Sequence, residues 1–338
     1  MSPLSRRLGW TLVGASLLLH VVTVYCFSRQ PDKLAAFTVM PIWMWGGVGL
    51  FLSCLAFYFL RASLSLIMTA VWIVTLLVGA DEARVLANIG KSPPLPGQAE
   101  PYEGQPVLRV VTLNTAFFTF GNPSRDIAAW QPDIVLLQDI QPHQVRQIAD
   151  VLYGGRGDYR THQTNGIVTR WKIQREIRNP DPTKRNEQVT IRLPNGADIE
   201  VVNVHLQSAA TDLRLWRKSA WDGHRYNRTM RHKELSLVQQ VLEQTTSFPN
   251  TPTLFGGDFN APASDVVHRS LTRDFTDAFA AAGTGWGNTF QRRFPILRID
   301  HIYCTRHFTP VRSCVFASRY SDHRMVIADF LTGADVAP

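Results

Sequence analysis

The chain opens on three long runs without an Asp, Glu, Lys or Arg: residues 8–28 (21 residues), 34–60 (27) and 62–80 (19). A helix rises ~1.5 Å per residue, so about twenty residues cross the ~30 Å hydrocarbon core of a bilayer. Trp43-Met44-Trp45 and Gly46-Gly47 leave no polar face to turn to water. A cleaved leader has a single apolar region of ~7–15 residues before a small-residue site. Three successive runs instead predict retained transmembrane helices at about 8–28, 38–60 and 62–80, in a region ending at residue 81. His20, Cys26 and Cys54 lie inside these spans with no ligand cluster around them and are expected to be packing residues.

Residues 90–106 then carry five prolines with glycines among them. They predict an extended, semi-rigid tether, so the linker runs 82–106. From Val107 short β-branched runs alternate with helical patterns. Strands are predicted at Val107–Leu113, Asp133–Leu137, Gly166–Thr169, Gln188–Leu193, Ile199–Val204, Thr253–Gly257, Arg298–Tyr303, Val311–Ala317 and Met325–Phe330. Helices are predicted at Ser124–Trp130, Gln141–Leu152, Arg228–Gln244 and Ala263–Leu271; in the third, Leu235, Val238, Val241 and Leu242 mark one buried face. Leu193-Pro-Asn-Gly-Ala197 between two alternating runs reads as a hairpin. Tyr303–Phe316 reads as another, with Cys304 and Cys314 symmetric about Thr309; free thiols are expected there, a disulfide being the alternative. Such an element list fits an α/β or α+β sandwich, two packed sheets flanked by helices, over residues 107–331 with a short tail at 332–338.

Composition narrows the picture. With 45% hydrophobic residues and four cysteines in 338, disorder and a disulfide-dense mini-fold are excluded. Half of the +8 net charge lies in residues 1–80, where Arg6, Arg7, Arg29, Lys33 and Arg61 face only Asp32. The other half is a small net excess over 258 residues, so no strongly polycationic domain argues for wholesale nucleic-acid binding. Arg6 and Arg7 before the first run, and Arg61 between the second and third, favour a cytoplasmic amino terminus. Three crossings then place everything after Ala80 outside the cytoplasm.

Polar residues recur at the ends of the apolar β-runs: Asn114, Gln138-Asp139, His205, Asp258 and Asn260, Asp300-His301, and Asp322-His323. Side chains at the ends of neighbouring strands converge, and sites in layered folds gather there. Asp and Asn oxygens are hard ligands suited to magnesium, with manganese or calcium as alternatives. A histidine beside a carboxylate can donate to a phosphoryl oxygen or exchange a proton.

Taken in order, Leu113-Asn114, Leu137-Gln138-Asp139, Asn203-Val204-His205, Gly257-Asp258-Phe259-Asn260, Ile299-Asp300-His301 and Ser321-Asp322-His323 resemble the endonuclease/exonuclease/phosphatase superfamily, the deoxyribonuclease I-like fold. Asn165–Arg170, and Arg231 with Gln239, add to the resemblance. It implies a four-layered α/β sandwich, two mainly antiparallel sheets flanked by helices, and metal-dependent hydrolysis of a phosphate ester. On that reading Asn114 and Asp139 would hold the metal, with Asp322 assisting it or His323. Asp258 would activate or position the attacking water, Asn260 would bind the phosphate, Asp300 would orient His323, and His205 would donate to a phosphoryl oxygen. Position 139 is Asp where the family usually has Glu, which withdraws the carboxylate by ~1.5 Å.

Residues 212–233 carry seven Lys/Arg against Asp212 and Asp222, with Trp216, Trp221 and Tyr226 interleaved. Arg214, Arg217, Lys218 and Arg231, together with Asn165, are the candidate substrate contacts. Such a segment suits an anionic lipid headgroup or stacked nucleotide bases. The expected protein is a multi-pass, membrane-anchored, extracytoplasmic phosphoesterase for a lipid-linked or other small phosphate ester. An anchored nuclease and a non-catalytic module that binds phosphorylated ligands are the alternatives.

Overall fold

The computed structural model describes residues 2–177, 185–208 and 214–333; Asp212 and the end of the tail lie outside these. The chain divides into two compact units, one comprising Met1–Ala87, Ala210–Tyr226 and Ser264–Val266, the other the remainder.

In the first unit, helices Pro3–Arg29 and Ile42–Leu60 are each long and apolar enough to cross a membrane. The third expected span is shorter, Ser63–Gly79, and continues into Asp81–Asn88 after a 73° bend; it counts as a span only if the pair is taken as one. These helices approach closely through small residues, as membrane helices do. A Cβ on Gly49 would lie 2.0 Å from Cε2 of Trp72, and one on Gly46 would lie 2.4 Å from Leu76 Cδ2. Between them Trp72 Nε1 donates to Ser16 Oγ at 3.0 Å, and Ser16 Oγ lies 2.8 Å from Ser53 Oγ.

The second unit is built on twelve strands among the described residues: β1 (Val107–Asn114), β2 (Ile134–Gln138), β3 (Asp158–His162), β4 (Asn165–Thr169), β5 (Lys172–Ile177), β6 (Asn186–Arg192), β7 (Asp198–His205), β8 (Thr253–Asp258), β9 (Thr276–Asp277), β10 (Asp300–Cys304), β11 (Phe308–Phe316) and β12 (Met325–Thr332). They form two six-stranded sheets, in the orders β11-β12-β1-β2-β4-β3 and β5-β6-β7-β8-β10-β9. Pairing is mainly antiparallel, with β1–β2 and β7–β8 parallel.

Strand residues alternate between two apolar layers. Leu108, Val110, Leu136 and Ile167 of the first sheet meet Val189, Val201, Leu254 and Ile302 of the second. Val111, Leu113, Val135 and Leu137 turn outward onto Ile127, Val145 and Ile148 of the helices Ser124–Ala128 and Pro142–Tyr153. Val202, Val204 and Phe255 pack under Leu235, Val238 and Leu242 of the long helix Lys218–Thr245. Both faces of each sheet are therefore covered, which is why the strands read as near-continuous apolar runs.

Four expectations change. β10 and β11 lie in different sheets, so Tyr303–Phe316 is no hairpin. Cys304 packs between the sheets, Cys314 on the outer layer, and both are free thiols. The helix expected at 263–271 is a 3-10 stretch, Val266–Ser270, and β3, β5, β9 and the turn of helix Ala278–Ala282 were not foreseen. The second compact unit starts at Asn88, well before Val107.

The tether belongs to this unit because Arg109 holds it. From β1 its buried guanidinium pairs with Asp329 on β12 at 2.6 and 2.9 Å, and its Nη1 donates to the Leu95, Gly97 and Trp130 carbonyls, each at 2.9 Å. Removing one partner of a buried pair costs ~3–5 kcal/mol. Arg109→Met is therefore expected to lower the thermal midpoint of the purified chain by several degrees and to expose residues 90–106 to limited proteolysis; an unchanged midpoint would refute this role.

Candidate active site

Register alone lines up two rows of polar side chains at one end of the sandwich. In the first sheet Asn114 closes β1, Gln138 closes β2 and Asn165 opens the antiparallel β4, and the three are direct neighbours. In the second, His205 closes β7, Asp258 closes β8 and Asp300 opens β10, again as direct neighbours. The rows face each other. Gln138 Nε2 donates to Asn203 Oδ1 at 2.6 Å, and Asn203 Nδ2 donates to the Leu137 and Gly166 carbonyls at 2.9 and 3.0 Å. Gly257 permits the turn at the end of β8: its φ is +132°, and a Cβ there would lie 2.1 Å from the Val204 carbonyl oxygen.

Asn114 joins the rows. Its Nδ2 donates to Asp139 at 3.2 Å and to Asp258 at 3.0 Å, while its Oδ1 accepts from the Ala116 N–H at 3.0 Å. In this rotamer Asn114 presents a donor to both carboxylates, and its oxygen accepts from the backbone. Asp139 follows β2 at φ 46°, and its carbonyl accepts from Thr115 Oγ1 and the Phe117 N–H.

Asp300 accepts from His323 Nδ1, with contacts of 2.9 and 3.2 Å. His323 Nε2 lies 3.9 Å from Asp258, and the Phe290 ring packs 4.9 Å from the imidazole. Burial disfavours a charged ring, but Asp300 and Asp258 outweigh it and push the His323 pKa up to about 10. Burial and the neighbouring Asp300 raise the Asp258 carboxyl to about 7. His205 sits between Asp139, 3.4 Å from its Nδ1, and Asp258, 3.7 Å from its Nε2. Burial first, then the charges of Arg185 and His323, hold it well below the usual histidine range, so the ring is neutral.

Asp258, Asp300 and His323 offer ligand atoms within 4.8 Å of one another. Asp139 is raised by burial and by Asp322, which stands within electrostatic reach of both Asp139 and His323. Buried acids held this closely fit a hard divalent cation, which would supply the positive charge they lack.

The remaining expected residues divide: Asn260 bonds to the cluster itself, and the others lie behind it or in the first unit. Asn260, at φ 50°, ties β8 to β7 through its N–H to Asp258 and its Nδ2 to the Leu206 carbonyl. Asn165 is buried; its Nδ2 donates to the Arg185 carbonyl at 2.9 Å, and its Oδ1 has no partner. Arg231 is also buried, its Nη1 donating to the Gln207 and Ser208 carbonyls at 3.4 and 3.2 Å, so it shapes the turn after His205 and is shielded from a substrate. Arg214, Arg217 and Lys218 fall in the first unit, with the apolar helices. Sequence reasoning missed Arg185, whose Nη1 lies 3.2 and 3.4 Å from the two His205 ring nitrogens and 3.9 Å from Asp139.

Two stacked mixed sheets with this cluster at one end define a layered α/β fold of the kind found in phosphate-ester hydrolases. A model of the endonuclease/exonuclease/phosphatase family matches residues 111–323, more than half of the chain, and the chain belongs to that family. No curated protein matches it. Solved structures share the fold at low identity. A mannosyl-6-phosphatase from Bacteroides thetaiotaomicron is 17% identical with a TM-score of 0.53, covering 66% of this chain and 99% of its own. D. rerio TDP2 complexed with a single-strand DNA product is 17% identical with a TM-score of 0.52, covering 67% and 99%. A family protein from Bacteroides vulgatus is 16% identical with a TM-score of 0.54, covering 68% and 100%.

Proposed function

We propose that the chain is a membrane-anchored, divalent-metal-dependent phosphoesterase whose substrate is a lipid-linked phosphate ester, with the catalytic unit outside the cytoplasm. The observation that carries this reading is the meeting of Asp258, Asp300 and His323 with Asn114, Asp139 and His205 at one end of the two sheets. Asp139 and Asp322 would hold the cation, which when bound neutralises phosphate charge and polarises the phosphorus–oxygen bond. Asp258, its carboxyl raised toward neutrality, takes the proton of the attacking water. Protonated His323, oriented by Asp300, and neutral His205 donate to phosphoryl oxygens as negative charge builds. Arg185 positions His205 through its Nη1.

The lipid preference is supported by the first unit. The segment with Arg214, Arg217, Lys218, Trp216 and Trp221 groups there with helices apolar enough to cross a membrane, and Trp216 is largely exposed. Tryptophan and cationic side chains together favour the membrane interface.

Turnover of a chromogenic phosphodiester by the purified chain is expected to stop in EDTA and to return with magnesium; metal-independent turnover, or none under any condition, would reject the enzyme reading. Presented with phospholipid, lipid pyrophosphate and DNA, the chain is expected to hydrolyse a lipid-linked ester with little salt dependence. DNA cleavage falling steeply with salt would favour the nuclease reading instead.

A further inference from the structure

Two loops border the active-site cluster with side chains that soluble surfaces seldom group together. Phe117 and Phe120 in one, and Trp286 and Phe294 in the other, are 40%, 47%, 48% and 75% exposed. Arg293 and Arg319 are exposed as well. Arg292 stitches these parts together: its guanidinium lies 5.7 Å from the centre of the Phe120 ring and donates to the Arg319 carbonyl. Both loops are bonded to the site itself. The Phe117 N–H donates to the Asp139 carbonyl, and the Arg292 N–H to the Asp322 carbonyl, each at 2.7 Å.

The first loop is also held in an unfavourable backbone conformation. Ala116, Phe117 and Phe118 have φ of 47°, 54° and 60°, the left-handed region that side chains with a Cβ rarely occupy in succession. Phe117 is still 40% exposed in this conformation. Strain that leaves an aromatic ring in water next to a reaction centre points to an outside counterpart.

We propose that this aromatic and arginine rim docks on an anionic lipid bilayer and so presents the site to phosphate groups at the membrane interface. The inference rests on the membrane-anchored phosphoesterase reading and adds the face through which substrate arrives. Phenylalanine and tryptophan settle at the interface, and arginines pair with anionic headgroups. Only eight residues, 80–87, separate the last apolar helix from the first residue of the catalytic unit, Asn88. The unit therefore works within reach of whichever membrane that helix enters.

The test is amide hydrogen exchange of the full chain in nanodiscs of phosphatidylcholine, with or without phosphatidylglycerol. Residues 117–120 and 291–294 are expected to exchange at least ~5-fold more slowly in the anionic discs, the factor of one arginine near such a surface. Phe294→Asp and, separately, Arg293→Glu are expected to abolish that difference, while exchange in β1 stays at the wild-type level. Equal exchange in both discs would overturn the proposal, as would protection by a single-stranded oligonucleotide in place of the anionic lipid. Because the readout needs no turnover, it fails independently of the phosphoesterase reading: an active enzyme with unprotected loops rejects the docking face alone.

Discussion

Replacing His323 with alanine is expected to lower kcat at least ~100-fold, the loss of one preorganised donor worth ~2.7–4 kcal/mol to the transition state. Its imidazole is buried against Phe290 and locked by Asp300, so donor and orientation are fixed before substrate arrives. Asp258 and Asp300 push its pKa up to about 10, which keeps the ring protonated throughout the neutral range. Asp300→Asn removes much of that support while leaving the shape intact. It is expected to lower kcat by ~10-fold or more, since the ring loses a charge-assisted hydrogen bond worth ~1.5–3 kcal/mol that orients it. Steady-state turnover of a chromogenic phosphodiester by purified variants, with circular dichroism to establish folding, checks both. Wild-type rates in folded His323→Ala would remove this residue from the mechanism.

The strand ends were legible because each one breaks an apolar run with a residue a core would reject. Asn114, His205, Asp258 and Asp300 stand out in this way, and the register then brings them together without help from side-chain detail. Arg185 was within reach of the same logic. The hairpin at Leu193–Ala197 sets Arg192 opposite Asp198 and Asn186 opposite Val204, and extending the count by one residue sets Arg185 opposite His205. Its backbone carbonyl indeed accepts from the His205 N–H at 2.9 Å. The false hairpin at Tyr303–Phe316 failed for the opposite reason. Two strands joined by a short turn can each continue into a different sheet of a sandwich, and spacing alone does not distinguish this from pairing. In residues 90–106 proline content excludes helix and sheet without excluding contact; Arg109, an ordinary β-strand cation in sequence, supplies the contact.

Asp139 gains meaning from its neighbours. A shorter carboxylate than the family norm still accepts from Asn114 and lies within 3.4 Å of His205. Its left-handed backbone and the two donors on its carbonyl fix the direction of the side chain. Asp322 adds negative charge beside it, so the shortened side chain still belongs to the group of acids that would hold a cation. Asp139→Glu is accordingly expected to alter the magnesium concentration that supports half-maximal turnover, measured by titrating the EDTA-treated enzyme; an unchanged midpoint would place Asp139 outside the cation's reach.

His205→Ala is expected to cost at least ~100-fold in kcat through the same kind of lost donor, but by a route that a glutamine can partly restore. Burial and the charges of Arg185 and His323 keep the ring neutral, so one nitrogen donates and the other accepts. Arg185 Nη1 lies 3.2 Å from Nδ1 and 3.4 Å from Nε2. The nitrogen that donates has a carboxylate beside it in either tautomer, Asp139 3.4 Å from Nδ1 or Asp258 3.7 Å from Nε2. A neutral N–H there can follow a phosphoryl oxygen from ground state to transition state without delivering a proton. Glutamine keeps an N–H on a side chain of similar reach, and is expected to recover ~2- to 10-fold of the activity lost in the alanine variant, since a neutral hydrogen bond is worth ~0.5–1.5 kcal/mol. A proton-transfer role predicts instead that glutamine is as poor as alanine. Comparing kcat and KM of the two variants on one substrate separates these outcomes, because an interaction made only in the transition state lowers kcat and leaves KM near its wild-type value.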